Sequence, residues 1–212
     1  MTIRSRLLPL FALVALFAAS PARADVVVEA FFGTSFNVPM SLTVVQSGYP
    51  DISFTAHYDT RPTEPRIYYA IRVSFWNDKT GWLIEELHHK IYLTNPTPEV
   101  SEFEVSHGYN IITVDRGWRR GSNNILLFGG GVVLGYPHST IRGQQWPEDS
   151  GYQLGGAAVQ GGAGHRFEVL PHVFLSVEGK LTAAWARMPV VNGHANVPNL
   201  AAHVLVGVGG KF

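Results

Sequence analysis

The chain contains no cysteine. An exported protein of 212 residues without disulfide staples must hold itself together by burial and hydrogen bonding, which argues against a small secreted scaffold. Beyond the N-terminal segment, no stretch approaches the ~20 apolar residues that a membrane helix needs, so a helical membrane protein is excluded. Neither sign of charge is in excess: sixteen basic and sixteen acidic residues cancel, and a nucleic-acid partner gets no electrostatic support. HExxH, GxSxG and clustered metal-ligand spacings are absent, and His88 and His89, as neighbours in a strand, cannot face one ion, so neither metal nor cofactor is expected. The glycine run at 129–131 lacks the rest of any phosphate-loop signature, and Asn95-Pro96-Thr97 is disqualified for glycosylation by its proline.

At the N-terminus, Arg4 and Arg6 precede an apolar run from Leu7 to Ala19 and the small-x-small pattern Ala22-Arg23-Ala24. This predicts a secretory signal over 1–24 and one mature domain over 25–212, since no linker or low-complexity tract marks a second.

The period of the mature chain is two rather than 3.6. In 81–93, Leu83, Leu87, Ile91 and Leu93 share one face of an extended chain, and Glu86, His88 and Lys90 share the other. In 100–114, Phe103, Val105, Tyr109 and Ile111 oppose Glu102, Glu104, Ser106 and Asn110, and the breaker TNPTPE joins the two segments. Ten such segments can be counted: Asp25–Gly33, Met40–Gln46, Asp51–Tyr58, Ile67–Trp76, Trp82–Leu93, Val100–Trp118, Asn124–Tyr136, Gly151–Gly164, Val169–Trp185 and Leu200–Phe212. With an export signal in front, they predict an all-β fold, a closed antiparallel transmembrane β-barrel of eight to ten strands, the count favouring ten, with lipid outside and a polar interior. Trp76, Trp82 and Trp118 lie beside short connections and are expected to form one interfacial belt at the periplasmic rim.

Strict alternation with apolar faces outward assigns a polar cluster to the lumen: His57, Asp59, Arg72, Ser74, Glu86, His88, Lys90, Glu102, Glu104, Ser106, Asn110, Arg116, Glu178, Lys180 and His203. A narrow barrel tolerates these groups only where they pair, so they predict an ionic plug. The same alternation turns Glu85, His89 and His107 toward lipid, where one bulge would reverse the facing of everything beyond it. The glycine- and alanine-rich segments between 124 and 164 leave room inside for an acyl chain if their small residues face the lumen.

The last segment, LAAHVLVGVGGKF, alternates and ends in Phe212, and in this it resembles the C-terminal strand of small bacterial outer-membrane β-barrel proteins. The resemblance implies an outer-membrane location, contact with outer-membrane lipid, and recognition by the barrel-assembly machinery through Phe212. The function expected is a structural or surface-binding role with a largely plugged lumen. Some barrels of that class are lipid A deacylases or acyltransferases, which gives the alternative: a lipid A-modifying enzyme at the membrane face, with His89 and His107 as candidate catalytic groups. The His-x-Ser arrangement of such deacylases is not matched, because Ser106-His107 and His138-Ser139 are adjacent pairs.

Overall fold

The structure, a computed structural model, describes residues 25–147 and 150–212; the signal expected at 1–24 lies outside the described residues. All regular structure among them is strand: β1 (Asp25–Val38), β2 (Met40–Gln46), β3 (Ile52–Ala56), β4 (Tyr58–Asp59), β5 (Tyr69–Asn77), β6 (Thr80–Leu93), β7 (Val100–Arg120), β8 (Asn124–Gly135), β9 (His138–Ile141), β10 (Gln144–Gln145), β11 (Gln153–Leu170), β12 (Val173–Val190) and β13 (Gly193–Lys211).

Antiparallel pairing runs β7-β8-β11-β12-β13-β1-β5-β6 and returns to β7, so eight strands form a ring. The short strands prolong this ring at one end, because β2 continues β1 along β13, β4 sits above β5 on β6, and β9 continues β8 along β7. Of the eight to ten strands expected, the ring has eight and not the favoured ten: Asp25–Gly33 and Met40–Gln46 belong to one stave interrupted at Pro39, and 51–58 and 67–76 belong to the next, interrupted by the strap 60–68. Proline cannot donate to a ladder, and here it marks an irregularity rather than the end of a strand. Between the pairs Val38↔Leu200 and Thr43↔Asn196 the first stave carries one more residue than β13, and the buried positions pass from odd (Phe31, Ser35) to even (Leu42, Val44).

Connections at the end that holds Asp25 and Phe212 are short: Asp78-Lys79, 121–123 and 171–172. Val26 and Phe212 exchange backbone hydrogen bonds there. Trp82 points outward at this end and Trp118 is half-buried, but Trp76 points inward and is fully buried with Val27, Leu83, Ile125, Leu127 and Phe174, so it belongs to an internal layer and not to the interfacial belt.

Polarity inverts along the barrel axis. Around the body of the ring, exposed Val28, Phe32, Ile71, Phe75, Ile84, Val114, Val132, Leu175, Val177, Leu181, Val204 and Val206 form an apolar girdle, while Arg72, Glu85, Glu178 and Lys180 are buried inside. This is the facing required of strands in hydrocarbon. Toward the other end the faces exchange character. Leu42, Val44, Ile91, Val100, Phe103, Val105, Ile141, Met188 and Val197 pack into an internal core, and Ser41, Ser53, Thr55, Ser101 and Glu102 are exposed. That end folds as a water-exposed sandwich does, apolar in and polar out.

Residues 81–114 cross this change of regime, and their facing is therefore the opposite of the one expected. Leu83, Leu87 and Ile91 of β6 and Phe103, Val105, Tyr109 and Ile111 of β7 face inward, with Glu85 and His89 among them. Glu86 stands on the outer wall between Ile71 and Ile112. A two-residue bulge at 106–108, between His89↔Tyr109 and Ile91↔Val105, leaves the parity of β7 unchanged. Gly108 at φ 126 makes it feasible, since a Cβ there would stand 2.3 Å from Asn110 Oδ1.

The natural absence of cysteine makes single-cysteine labelling clean. We expect Ile84→Cys and Val177→Cys, carrying a fluorophore, to be quenched by lipid-borne nitroxide. Glu102→Cys should react with a membrane-impermeant maleimide, whereas Phe103→Cys should not. Equal reactivity at 102 and 103 would contradict the inversion.

Candidate functional site: a buried luminal network and a polar outer wall

Arg72, on β5, is fully buried at the centre of the lumen. Its Nε and Nη2 donate to Glu85 Oε2 at 2.8 and 2.5 Å, Nη1 and Nη2 donate to Glu178 at 2.9 and 2.6 Å, and Nη1 lies 3.5 Å from Glu29. Lys180 donates to Glu85 and lies 3.3 Å from Glu178. Arg166 forks onto Glu29 at 3.2 and 2.8 Å, and Ser176 donates to the same carboxylate at 3.1 Å. Gln160 Nε2 reaches Glu85, Thr113 and Asp115 at 3.2, 2.8 and 2.8 Å. Six of the eight ring strands are thus tied through one network. Burial would make each of these charges costly alone, and the multidentate geometry is what makes their company tolerable.

The glycines explain how long side chains fit. Lys180 and Glu178 of β12 stand opposite Gly162 and Gly164 of β11, and Asp115 of β7 stands opposite Gly129 of β8, where a Cβ would come within 2.3 Å of Asp115 Oδ1. The room left by small residues between 124 and 164 is therefore taken by charged side chains from the neighbouring strands.

Toward the outer end, a histidine layer covers the charges. Tyr68 OH lies 2.6 Å from His203 Nδ1, and Thr182 lies 2.8 Å from His203 Nε2. His89 contacts Ser35 at 3.3 Å and Asn37 at 3.1 Å, with its ring 5.3 Å from that of His203. The apolar core described above lies beyond this layer.

Of the cluster expected in the lumen, Arg72, Ser74, Glu178, Lys180 and His203 are buried inside. His57 and Asp59 are exposed, His57 tied through its backbone to Asn95. Glu86, His88, Lys90, Glu102, Glu104, Ser106, Asn110 and Arg116 stand on the outer wall, because β6 and β7 carry their inward groups at odd positions. His89 and Glu85, expected toward lipid, are inside. The two candidate catalytic histidines are thereby separated: His89 is luminal, and His107 lies outside, stacked on Tyr136 at 4.6 Å. Sequence reading missed Glu29, Arg166, Asp115 and Gln160. Glu29 was visible as the one charge within VVVEAFF, while Gln160 and Arg166 sit in a glycine-rich strand whose facing no periodicity reveals.

On the outer wall, polar side chains collect over β5, β6, β7 and β9. Tyr69, His88 and Asn110 are cross-strand neighbours: the His88 ring stacks on Tyr69 at 4.8 Å, and its Nδ1 meets Asn110 Oδ1 at 2.7 Å. Tyr69 OH donates to Glu86 at 3.3 Å. Lys90 donates to the carbonyls of Arg61, Glu64 and Pro65 at 3.1, 3.4 and 3.5 Å, pinning the strap 60–68 to the wall. Ser106 Oγ donates to Glu104 at 2.7 Å and lies 3.2 Å from His107 Nδ1, and His138 lies 3.8 Å from Glu104.

No known protein family matches the chain, and no curated protein matches it. Among solved structures, the outer-membrane protein AlkL, determined by solid-state NMR in lipid bilayers, is similar at 11% identity and a TM-score of 0.50, over 92% of this chain and 93% of AlkL. Ail, the attachment invasion locus protein of Yersinia pestis, matches at 12% identity and a TM-score of 0.44, over 89% of this chain and 99% of Ail. Neisserial surface protein A matches at 12% identity and 0.44, over 89% and 97%. The fold is that of the small bacterial outer-membrane β-barrel proteins.

Arg72→Ala would leave three buried glutamates without their shared cation. We expect it to lower unfolding stability by about 3–5 kcal/mol, against less than about 1 kcal/mol for Arg119→Ala at the exposed pair with Asp25. Urea titration of tryptophan fluorescence in detergent measures both, and equal losses would contradict the network.

Proposed function

We propose that this chain is an outer-membrane protein whose barrel serves as a sealed anchor and whose work is done on its outward surfaces, a structural or surface-binding role rather than diffusion through the pore. The observation that supports this reading is the succession of buried side-chain layers along the axis. From the end that holds Phe212 outward, the Trp76 layer, the Arg72 network, the His89–His203 layer and the Phe103 core follow one another, and the central side chains of each are buried. A narrow eight-stranded barrel has room for side chains and little else. The apolar girdle and the likeness in fold support the membrane placement. Phe212, exposed beside Val26, is the proposed contact for the assembly machinery.

One observation favours a second reading, a lipid A-modifying hydrolase or acyltransferase at the membrane face: Ser106 lies between Glu104 and His107 on the outer wall, a nucleophile beside a carboxylate and an imidazole. His89 has no part in it. Lipid A from cells expressing the wild type, Ser106→Ala or His107→Ala would show, by mass spectrometry, an acylation change with the wild type alone. A pattern indifferent to wild-type expression removes this reading for that substrate.

For the principal reading, planar-bilayer recordings are expected to show no steady conductance with the wild type. Arg72→Ala combined with Lys180→Ala should introduce a small leak by emptying the centre of the lumen. A large stable channel in the wild type would replace the sealed anchor with a pore.

A further inference from the structure

We infer that the barrel thins the bilayer on one side: along β5, β6 and β7 the headgroup layer comes down the outer wall as far as Glu86, while on the opposite side the bilayer keeps its full depth. The inference rests on the membrane placement proposed above.

The outward apolar runs differ in length around the ring. On β12 the outward residues Leu175, Val177, Gly179, Leu181, Ala183 and Trp185 are all exposed, and none is charged. Outward runs over 175–185 on β12, 200–208 on β13, 28–38 on β1 and 126–134 on β8 meet the ~9–11 residues that a tilted strand needs to cross hydrocarbon, with Thr34 the one hydroxyl among them. Three neighbouring staves fall short. Outward on β6, Trp82 and Ile84 lie between Thr80 and Glu86. On β7, Ile112 and Val114 lie between Asn110 and Arg116, and on β5, Ile71, Val73 and Phe75 lie between Tyr69 and Asn77.

From Asn110 to Arg116 the chain advances ~20 Å at ~3.3 Å per residue, which a strand tilt of ~35–45° reduces to about 15 Å of height. From Leu175 to Trp185 the same conversion gives about 25 Å, the height of an ordinary apolar band. A tilt of the whole barrel shifts both ends of a run together and cannot equalise runs of unequal length. The bilayer is therefore shallower over β5, β6 and β7, since at full depth Glu86 and Asn110 would stand in hydrocarbon. Local thinning is the ordinary response of lipid to a short apolar wall.

The side chains at both edges of the short wall suit headgroups and water. Arg116 reaches toward the near rim: its Nη2 donates to Thr80 Oγ1 at 2.7 Å, and the guanidinium lies 5.1 Å from the centre of the Trp82 ring. The charge is thereby carried away from Ile84 and Val114 while the stem stays on the apolar wall. At the far edge Tyr69 OH donates to Glu86 at 3.3 Å, His88 Nδ1 meets Asn110 Oδ1 at 2.7 Å, and Lys90 donates to the carbonyls of the strap 60–68. These groups are matched within the chain, so the wall does not need a second protein surface to satisfy them. The strap turns Arg61, Glu64 and Arg66 outward and exposed beside Lys90, the mixed charge that a zwitterionic headgroup layer accepts.

The test uses the full barrel in dioleoylphosphatidylcholine liposomes, with single nitroxide labels at Glu86→Cys, Ile84→Cys and Leu181→Cys. Collision with oxygen and with a water-soluble nickel chelate measures the depth of each label. We expect the label at 86 to read as headgroup or water, and the label at 84 to lie about 5 Å less deep than the label at 181. Glu86→Leu combined with Arg116→Leu lengthens the apolar wall and is expected to carry the label at 84 deeper; heat-dependent gel mobility confirms that each variant is folded. A label at 86 as deep as the one at 181 would overturn the proposal, as would a label at 84 that the leucine variants leave unmoved. Protection of 86 from both collision partners, with dipolar coupling between labels on two copies, would mean that a second copy covers the wall, and would overturn it too. Water-like readings at 181 as well would overturn the membrane placement and the thinning with it.

Discussion

One guanidinium with too many acids around it organises this protein. Arg72 occupies the axis of a narrow barrel and satisfies two glutamates by fork geometry and a third at longer range. Lys180 and Arg166 complete the charge, and Gln160 ties the carboxylates to β7. Such a network contributes less to net stability than an apolar core of the same volume, because desolvation offsets most of its Coulomb energy. In a barrel surrounded by lipid the balance differs, since the exterior already takes the apolar residues and the lumen is the one place where strands with polar alternate positions can put them. The network also explains the glycines, which make room on β8 and β11 for the charges of β7 and β12.

The second constraint is the change of surroundings along the axis. The staves of this barrel outreach the girdle, and beyond it the same alternation must serve the opposite purpose. The chain manages the change in two ways. On the first stave a single extra residue at Pro39 passes the buried positions from odd to even. On β6 and β7 the parity is kept and the residue types exchange, so that Glu85 and Leu87 are both inside while Ile84 and Glu86 are both outside.

That exchange separates what the sequence could disclose from what it could not. On β5, β12 and β13, where Val73, Val177 and Val204 oppose Arg72, Glu178 and His203, one face is plainly apolar and the rule of lipid outside assigns them correctly. In 81–114 the period of two was equally legible, but periodicity reports which residues share a face, not which face turns to lipid. His88 and Glu104 went to the lumen on paper because the girdle's upper edge leaves no mark in the sequence. The eight staves were hidden for a related reason: Pro39 and the strap 60–68 look like strand ends when only local turn chemistry is read. Ser106 and His107, adjacent and so assigned to opposite faces, meet on the outer wall because a bulge suspends alternation there.

The most direct measurement of this account is water-edited solid-state NMR of the protein in liposomes, with the arginine side chains and glutamate carboxyls labelled. A luminal network sealed at both ends predicts that the Arg72 guanidinium receives little magnetisation from bulk water and shows short nitrogen-to-carboxyl contacts to Glu85 and Glu178. Rapid transfer from water to Arg72, with no carboxyl contact, would mean a hydrated lumen and would contradict it.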